Sequence, residues 1–116
     1  MSKDNAYLED TLEAAKAVQR FTNGVSREAF KSNEEKYEAV NRKFEIIGEA
    51  ARRLPPETRN KFPEIPWKLV SAVRNILIHD YDDVDLDVVW DTIQKDVPTL
   101  IARLESYLAQ NPPPQN

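Results

Sequence analysis

Helical periodicity runs through nearly all of this chain and no segment sustains a period of two, so the only core it can build lies between helices. Residues 4–22 predict a first helix with Leu8, Leu12, Ala15 and Val18 on one face and Gly24 just past its end. A short helical turn over residues 26–31 follows, with Ser26 as its cap. From residue 33 to 54 the apolar positions Tyr37, Val40, Phe44, Ile47, Ala51 and Leu54 recur in steps of three and four, the signature of a long amphipathic helix. Pro55 and Pro56 end it, because proline cannot continue a helix and pushes the residue before it out of the α region. Residues 55–66 read as a connection with one turn over 57–61. A third long helix is expected over 67–79, burying Trp67, Val70, Val73 and Leu77. Asp82, Asp83 and Asp85 break it and offer caps for the next. Residues 86–109 carry the cleanest stripe, Leu86, Trp90, Ile93, Val97, Leu100, Leu104 and Tyr107, with Pro98 expected to kink it. Four long helices with short connections predict an all-α antiparallel four-helix bundle, one domain over residues 1–110, with a disordered Pro-rich tail at 111–116. Gly48 inside the second long helix costs roughly 1 kcal/mol relative to alanine, and the expected compensation is close helix packing.

With 116 residues, the chain has room for one core and no grafted substrate domain. Two glycines leave no material for a Gly-rich phosphate loop, and no cysteine means no disulfide, thiolate metal site or thiol nucleophile. One histidine cannot build a multi-histidine metal site within one chain, so neither a metal nor a cofactor is expected. The first ten residues have no apolar signal core, and no apolar stretch approaches the ~18 residues of a membrane span, which points to a cytoplasmic protein with no membrane partner. A net charge of −4 argues against a non-specific nucleic-acid coat. The charge is unevenly placed. Residues 42–74 hold eight basic side chains, Arg42, Lys43, Arg52, Arg53, Arg59, Lys61, Lys68 and Arg74, against four glutamates. Residues 80–96 hold seven aspartates against Lys95 alone. A polyanion could meet the middle of the chain but hardly the acidic stretch after it.

At the junction of those two stretches stands the run Arg74, Asn75, Ile76, Leu77, Ile78, His79, Asp80, Tyr81, which holds the only histidine. A permanent guanidinium, an imidazole that titrates near neutrality and a phenol set close together are parts for handling a phosphodiester. On a helix Asn75 and His79 stack at i and i+4, while Arg74 and His79 differ by roughly 140° and converge only through the reach of their side chains. Composition and spacing alone favour a structural reading, in which a histidine at a helix C-terminus is held by the helix dipole and an arginine pairs with an aspartate. The aspartates at 80, 82 and 83 likewise read as caps and solvation. They are no EF-hand, since the loop lacks its glycine and distal glutamate.

The context of that run adds a second argument. Phe44 to Leu54 (FEIIGEAARRL), Phe62 to Trp67 (FPEIPW) and Ala72 to Tyr81 (AVRNILIHDY), in this order and at this spacing, resemble the HepT-like toxins of the HEPN superfamily. Those small all-α proteins are paired with MNT-type nucleotidyltransferase antitoxins. The last stretch is similar to the family's motif of Arg, a polar residue, three variable residues, His, one residue and Tyr, here Arg74, Asn75, His79 and Tyr81. The resemblance implies a metal-independent endoribonuclease, the toxin of a type VII-like toxin-antitoxin pair, whose site forms where two protomers of a homodimer meet. It further implies that Arg74 contacts the scissile phosphate, His79 transfers protons and Asn75 orients the site. Tyr81 would complete the site and be the residue that the cognate antitoxin modifies by AMPylation.

The residues themselves are compatible with that chemistry. Metal-free RNA cleavage needs a base for the 2′-hydroxyl, charge stabilisation at a pentacovalent phosphorus and an acid for the 5′-oxygen. One chain offers one histidine, so a two-fold dimer bringing two copies of His79 to one phosphate would supply both, with two Arg74 guanidiniums as a clamp. DNA lacks the 2′-hydroxyl and is not an expected substrate. The helix end and the neighbouring aspartates are expected to raise the His79 pKa. An adenylate on Tyr81 would add negative charge and repel RNA. Trp67 and Trp90, on apolar faces, read as core. Arg52, Arg53, Arg59, Lys61 and Lys68 fit either an RNA approach or a solvated helix face. The competing functional readings are a non-catalytic bundle of the same fold serving as an adaptor for a nucleotidyltransferase, and a nucleotide-binding sensor.

Overall fold

The computed structural model describes residues 3–68, 70 and 85–111. Among these, every regular element is a helix: α1 Lys3–Thr22, α2 Arg27–Ser32, α3 Glu34–Arg53, α4 Pro56–Arg59, α5 Leu86–Lys95 and α6 Val97–Gln110. They form an all-α bundle. The principal contacts are α1 on α3 and α6, α5 on α6, and α2 on both α3 and α5.

Each junction has a local cause. Gly24 takes a positive φ of 74° after α1, a conformation in which any Cβ would be strained. The Lys36 ammonium then donates to the Phe21 carbonyl at the end of α1 (2.7 Å), placing a cation on the negative end of the helix dipole. Ser26 caps α2 by accepting from the Ala29 N–H at 3.1 Å, and Asn33 caps α3 by accepting from the Lys36 N–H at 3.1 Å. Pro55 and Pro56 close α3 and open α4, with proline in the first turn where its missing N–H leaves no bond unmade.

The final stripe departs from the expected single kinked helix. It is two helices, separated at Asp96. Pro98 lies in the first turn of α6, and a proline there cannot donate to the carbonyl four residues back and crowds it. The chain therefore ends one helix and starts another two residues before the proline. The Asp96 N–H still donates to Thr92 (2.9 Å) and the Asp96 carbonyl accepts from Leu100 (3.0 Å), so the two pieces share a backbone bond on either side of the break.

The predicted stripes form the core. Leu8, Leu12, Ala15 and Val18 of α1 meet Val40, Phe44, Ile47 and Ala51 of α3, and Leu100 and Leu104 of α6 seal them. Gly48 is buried, as close packing of that helix requires. A satellite of rings extends the core under α2. Phe30, fully buried, lies 5.4 Å from the Trp90 ring and edge-on to Tyr37 at 6.5 Å. A second aromatic group lies near α4, where Phe62 is edge-on to Tyr107 at 4.9 Å and to Trp67 at 6.3 Å. Both tryptophans are thus core residues. Of the third long helix predicted from the stripe, residues 67, 68 and 70 are helical, and the Val70 N–H donates to Pro66 at 3.0 Å; its remainder lies outside the described residues. The tail over 112–116 lies outside them too.

Candidate functional site

Arg74, Asn75, His79 and Tyr81 all lie outside the described residues, as do Asp80, Asp82 and Asp83. What the structure establishes is the pair of shoulders between which that segment runs.

The upstream shoulder is held from three sides. Trp67 is seated against Phe62. Val70 lines a small apolar cavity with Phe44, Ile47, Thr92, Asp96 and Leu100, so the turn after Pro66 is tied to α3, α5 and α6 together. Thr58, 5% exposed, donates its hydroxyl to the Asp4 carboxylate at 2.9 Å and so fastens α4 to the start of α1.

The downstream shoulder is held by charge. Asp85 caps α5, its carboxylate accepting from the N–H groups of Asp87 (3.0 Å) and Val88 (3.3 Å). Of the three aspartates expected to offer caps, this is the one within the described residues. Arg27 of α2 donates to Asp87 (3.0 Å) and to Asp91 (2.8 Å), and Lys31 donates to the other oxygen of Asp87 (3.2 Å). The hydrogen bond from Arg27, then that from Lys31, holds the Asp87 carboxyl below its usual range. Much of the acidic charge after residue 85 is therefore already spent on an internal clamp. No signal in the sequence joins Arg27 to residues some 60 positions away; the contact exists only once the fold is known.

The basic middle of the chain divides in two. Arg52 and Arg53 both reach Glu49 on α3 (3.3 and 3.4 Å), and the Arg53 guanidinium is raised by its bonds to Tyr7 and then to Glu49. Arg59 and Lys68 make no ion pair with any described residue. Both line an open groove whose other walls include Pro56, Asn60, Phe62 and Trp67. Glu64, between the groove residues Pro63 and Ile65, is engaged by Arg103 at 3.4 Å. Lys61 stands over the Tyr107 ring, 5.7 Å from its centroid. Of two residues that line the groove, the Arg59 Nε and the Trp67 indole nitrogen are buried without a hydrogen-bond partner among the described residues. Among the described residues no group of three or more His, Cys, Asp or Glu could hold a metal ion, and no helix is long and apolar enough to cross a membrane.

An all-α bundle whose described part carries a groove lined by Arg59 and Lys68 defines a small helical class of protein. Within it, the chain belongs to the ribonuclease HepT-like family, whose model matches residues 11–107. It is 39% identical over 99 residues to the "Probable ribonuclease HepT" of Thermococcus cleftensis, covering 85% of this chain and 90% of that protein. It is 41% identical over 100 residues to a Methanocaldococcus jannaschii protein named "Putative RNase MJ1380", covering 86% of this chain and 92% of the relative. A Caldanaerobacter subterraneus protein named "Putative RNase TTE0752" is 35% identical over 108 residues, covering 93% and 96%. No solved structure matches the chain significantly.

Proposed function

We propose that this protein is a metal-independent endoribonuclease, the toxin of a toxin-antitoxin pair, working as a homodimer in the cytoplasm. The observation that carries the reading is the family membership of a chain that holds Arg74, Asn75, His79 and Tyr81 in the family's motif order. In this reading one His79 accepts the 2′-hydroxyl proton while the partner protomer's copy protonates the 5′-oxygen, which leaves a cyclic phosphate and a 5′-hydroxyl. Arg74 from each protomer balances the charge that builds on phosphorus. Asn75, four residues before His79, fixes the imidazole's orientation. Tyr81 closes the site and accepts AMP from an MNT-type nucleotidyltransferase antitoxin, and the added phosphate repels RNA.

The test is cleavage of RNA in excess EDTA by the purified protein and by His79→Ala and Arg74→Ala. The parent is expected to cleave, and each variant to lose roughly a hundredfold or more in rate. Cleavage by both variants at the parent's rate would show the site to be misassigned, and no cleavage by the parent would favour the adaptor reading. A mixed dimer of one parent and one His79→Ala protomer holds a single His79, so a shared site that needs both copies is expected to lose activity, whereas independent sites would keep about half of it. Mass spectrometry after co-expression with the cognate nucleotidyltransferase is expected to find the adduct on Tyr81; an adduct elsewhere, or none, refutes the switch.

A further inference from the structure

We infer that the groove between α4 and Trp67 is a binding site for the phosphate backbone of single-stranded RNA, with Arg59 and Lys68 as its two cationic contacts. The inference rests on the ribonuclease reading for the identity of its ligand, and on three independent observations for its place.

The first is charge left uncommitted. Arg27, Lys31, Arg52, Arg53 and Arg103 each engage a carboxylate, whereas Arg59 and Lys68 do not, although both face one groove. Its sequence neighbour Glu64 is drawn off by Arg103. The groove thus presents two cations that no carboxylate among the described residues engages, which suits a polyanion.

The second is unsatisfied hydrogen bonding. Buried N–H groups are almost always paired, because an unpaired one loses its water without gaining a partner. Here Arg59 Nε and Trp67 Nε1, on two residues that line the groove, have no acceptor among the described residues, and Trp67 is itself only 8% exposed. Both are donors, so what they lack is an acceptor. A phosphate supplies acceptor oxygens that a guanidinium fork can take two at a time.

The third is the floor. Pro56, Pro63 and Pro66, none of them buried, give the groove apolar surface beside its two cations, the combination that lets a single strand lay sugar faces on hydrocarbon while its phosphates meet cations. Along the chain, Trp67 and Lys68 lie six or seven residues before Arg74. The site would position substrate and take no part in the chemistry.

The probe is a fluorescein-labelled 2′-O-methyl oligonucleotide of about 12 mixed nucleotides, which cannot be cleaved and suits the span of one single-strand site. Its affinity is measured by anisotropy over a series of salt concentrations. Arg59→Gln and Lys68→Gln are each expected to weaken binding about five-fold and to lower the salt slope by roughly 0.7. Arg42→Gln, on the exposed face of α3 and paired with Glu45, is expected to leave both unchanged. Arg59→Lys keeps the charge without the fork and is expected to keep the slope while losing affinity; it also guards against a misfolded glutamine variant. Equal affinity and slope in parent, Arg59→Gln and Lys68→Gln, or no binding by the parent, overturns the inference. So does displacement of the oligonucleotide by a poly-glutamate peptide of equal charge at equal concentration, which would mark a docking site for an acidic protein. The ribonuclease reading fails separately: loss of binding in the groove variants with no RNA cleaved by the parent keeps the groove and refutes the catalysis.

Discussion

The contact between α2 and α5 and the groove beside α4 handle cations in opposite ways. In the first, Arg27 and Lys31 share Asp87 and Asp91 across the two helices, and directly beneath them Phe30 packs on Trp90. In the second, Arg59 and Lys68 line a groove without an ion pair to any described carboxylate, and two buried donors lack a partner among the described residues. The same side-chain types thus serve cohesion in one place and remain available in the other. What separates the cases is the partner, not the residue, and mutations on the two sides should separate stability from binding.

The largest expected effect lies under the clamp. Phe30→Ala removes a fully buried ring between Tyr37 and Trp90 and is expected to cost about 3–5 kcal/mol in urea unfolding, while RNA affinity measured on the folded fraction stays unchanged. A loss below about 1 kcal/mol would show that α2 is not part of the core.

Next is the fastening of α4. Thr58→Val keeps shape and removes the hydroxyl that donates to Asp4, so it is expected to cost about 1 kcal/mol. Because it moves Arg59 without removing its charge, it is also expected to weaken oligonucleotide binding less than Arg59→Gln does. An Arg59→Gln effect no larger than that of Thr58→Val would mean that the groove works by shape alone.

Much of this contrast was illegible in the sequence, for a physical reason. A helix face repeats every three or four residues, so Leu8, Leu12 and Val18, or Phe44, Ile47 and Ala51, announce their burial locally. Caps are local as well, and Ser26, Asn33 and Asp85 stand where short-range rules put them. Ion pairs across the bundle are not local. Arg27 meets Asp87 only because α2 and α5 are packed together, and residues 42–74 read as one basic stretch until α3's Glu49 is seen to take Arg52 and Arg53. Pro98 was readable as a disturbance, but the place of the break, at Asp96, depends on which carbonyl the ring would strike. The motif residues Arg74, Asn75, His79 and Tyr81 are legible in sequence alone, by their order and by the family they place the chain in.

A smaller effect tests the clamp itself. The Asp87 carboxyl is held below its ordinary value of 3.8 by Arg27 and Lys31. A depressed carboxyl stabilises the fold above its unfolded pKa and loses that contribution as pH falls through the folded one. Asp87→Asn is therefore expected to lower the melting temperature slightly at neutral pH, and the gap from the parent is expected to close below pH 3.8. Added salt should narrow it too, because all three side chains are partly exposed. A gap that persists in acid would mean that Asp87 acts through packing, and the comparison with the groove would lose its electrostatic basis.

The smallest effect guards against reading every lone charge as a binding site. The Asp96 carboxylate makes no capping bond at the break between α5 and α6, and it lines the apolar cavity with Val70 and Leu100. Burial raises its pKa, opposed by Lys95. A raised carboxyl reverses the sign: the folded state prefers the proton, so stability falls as pH rises from the ordinary 3.8 through the higher folded value. Asp96→Asn is expected to be slightly more stable than the parent at neutral pH and equal to it below pH 3.8, with oligonucleotide affinity unchanged at both. Asp96 and Arg59 are both ionic groups without a bonded counter-charge among the described residues, yet one lines a small apolar cavity and the other an open groove. If Asp96→Asn altered RNA binding as much as Arg59→Gln, lack of a partner would carry the effect wherever it occurred, and the groove's basic rim would have no special claim to it.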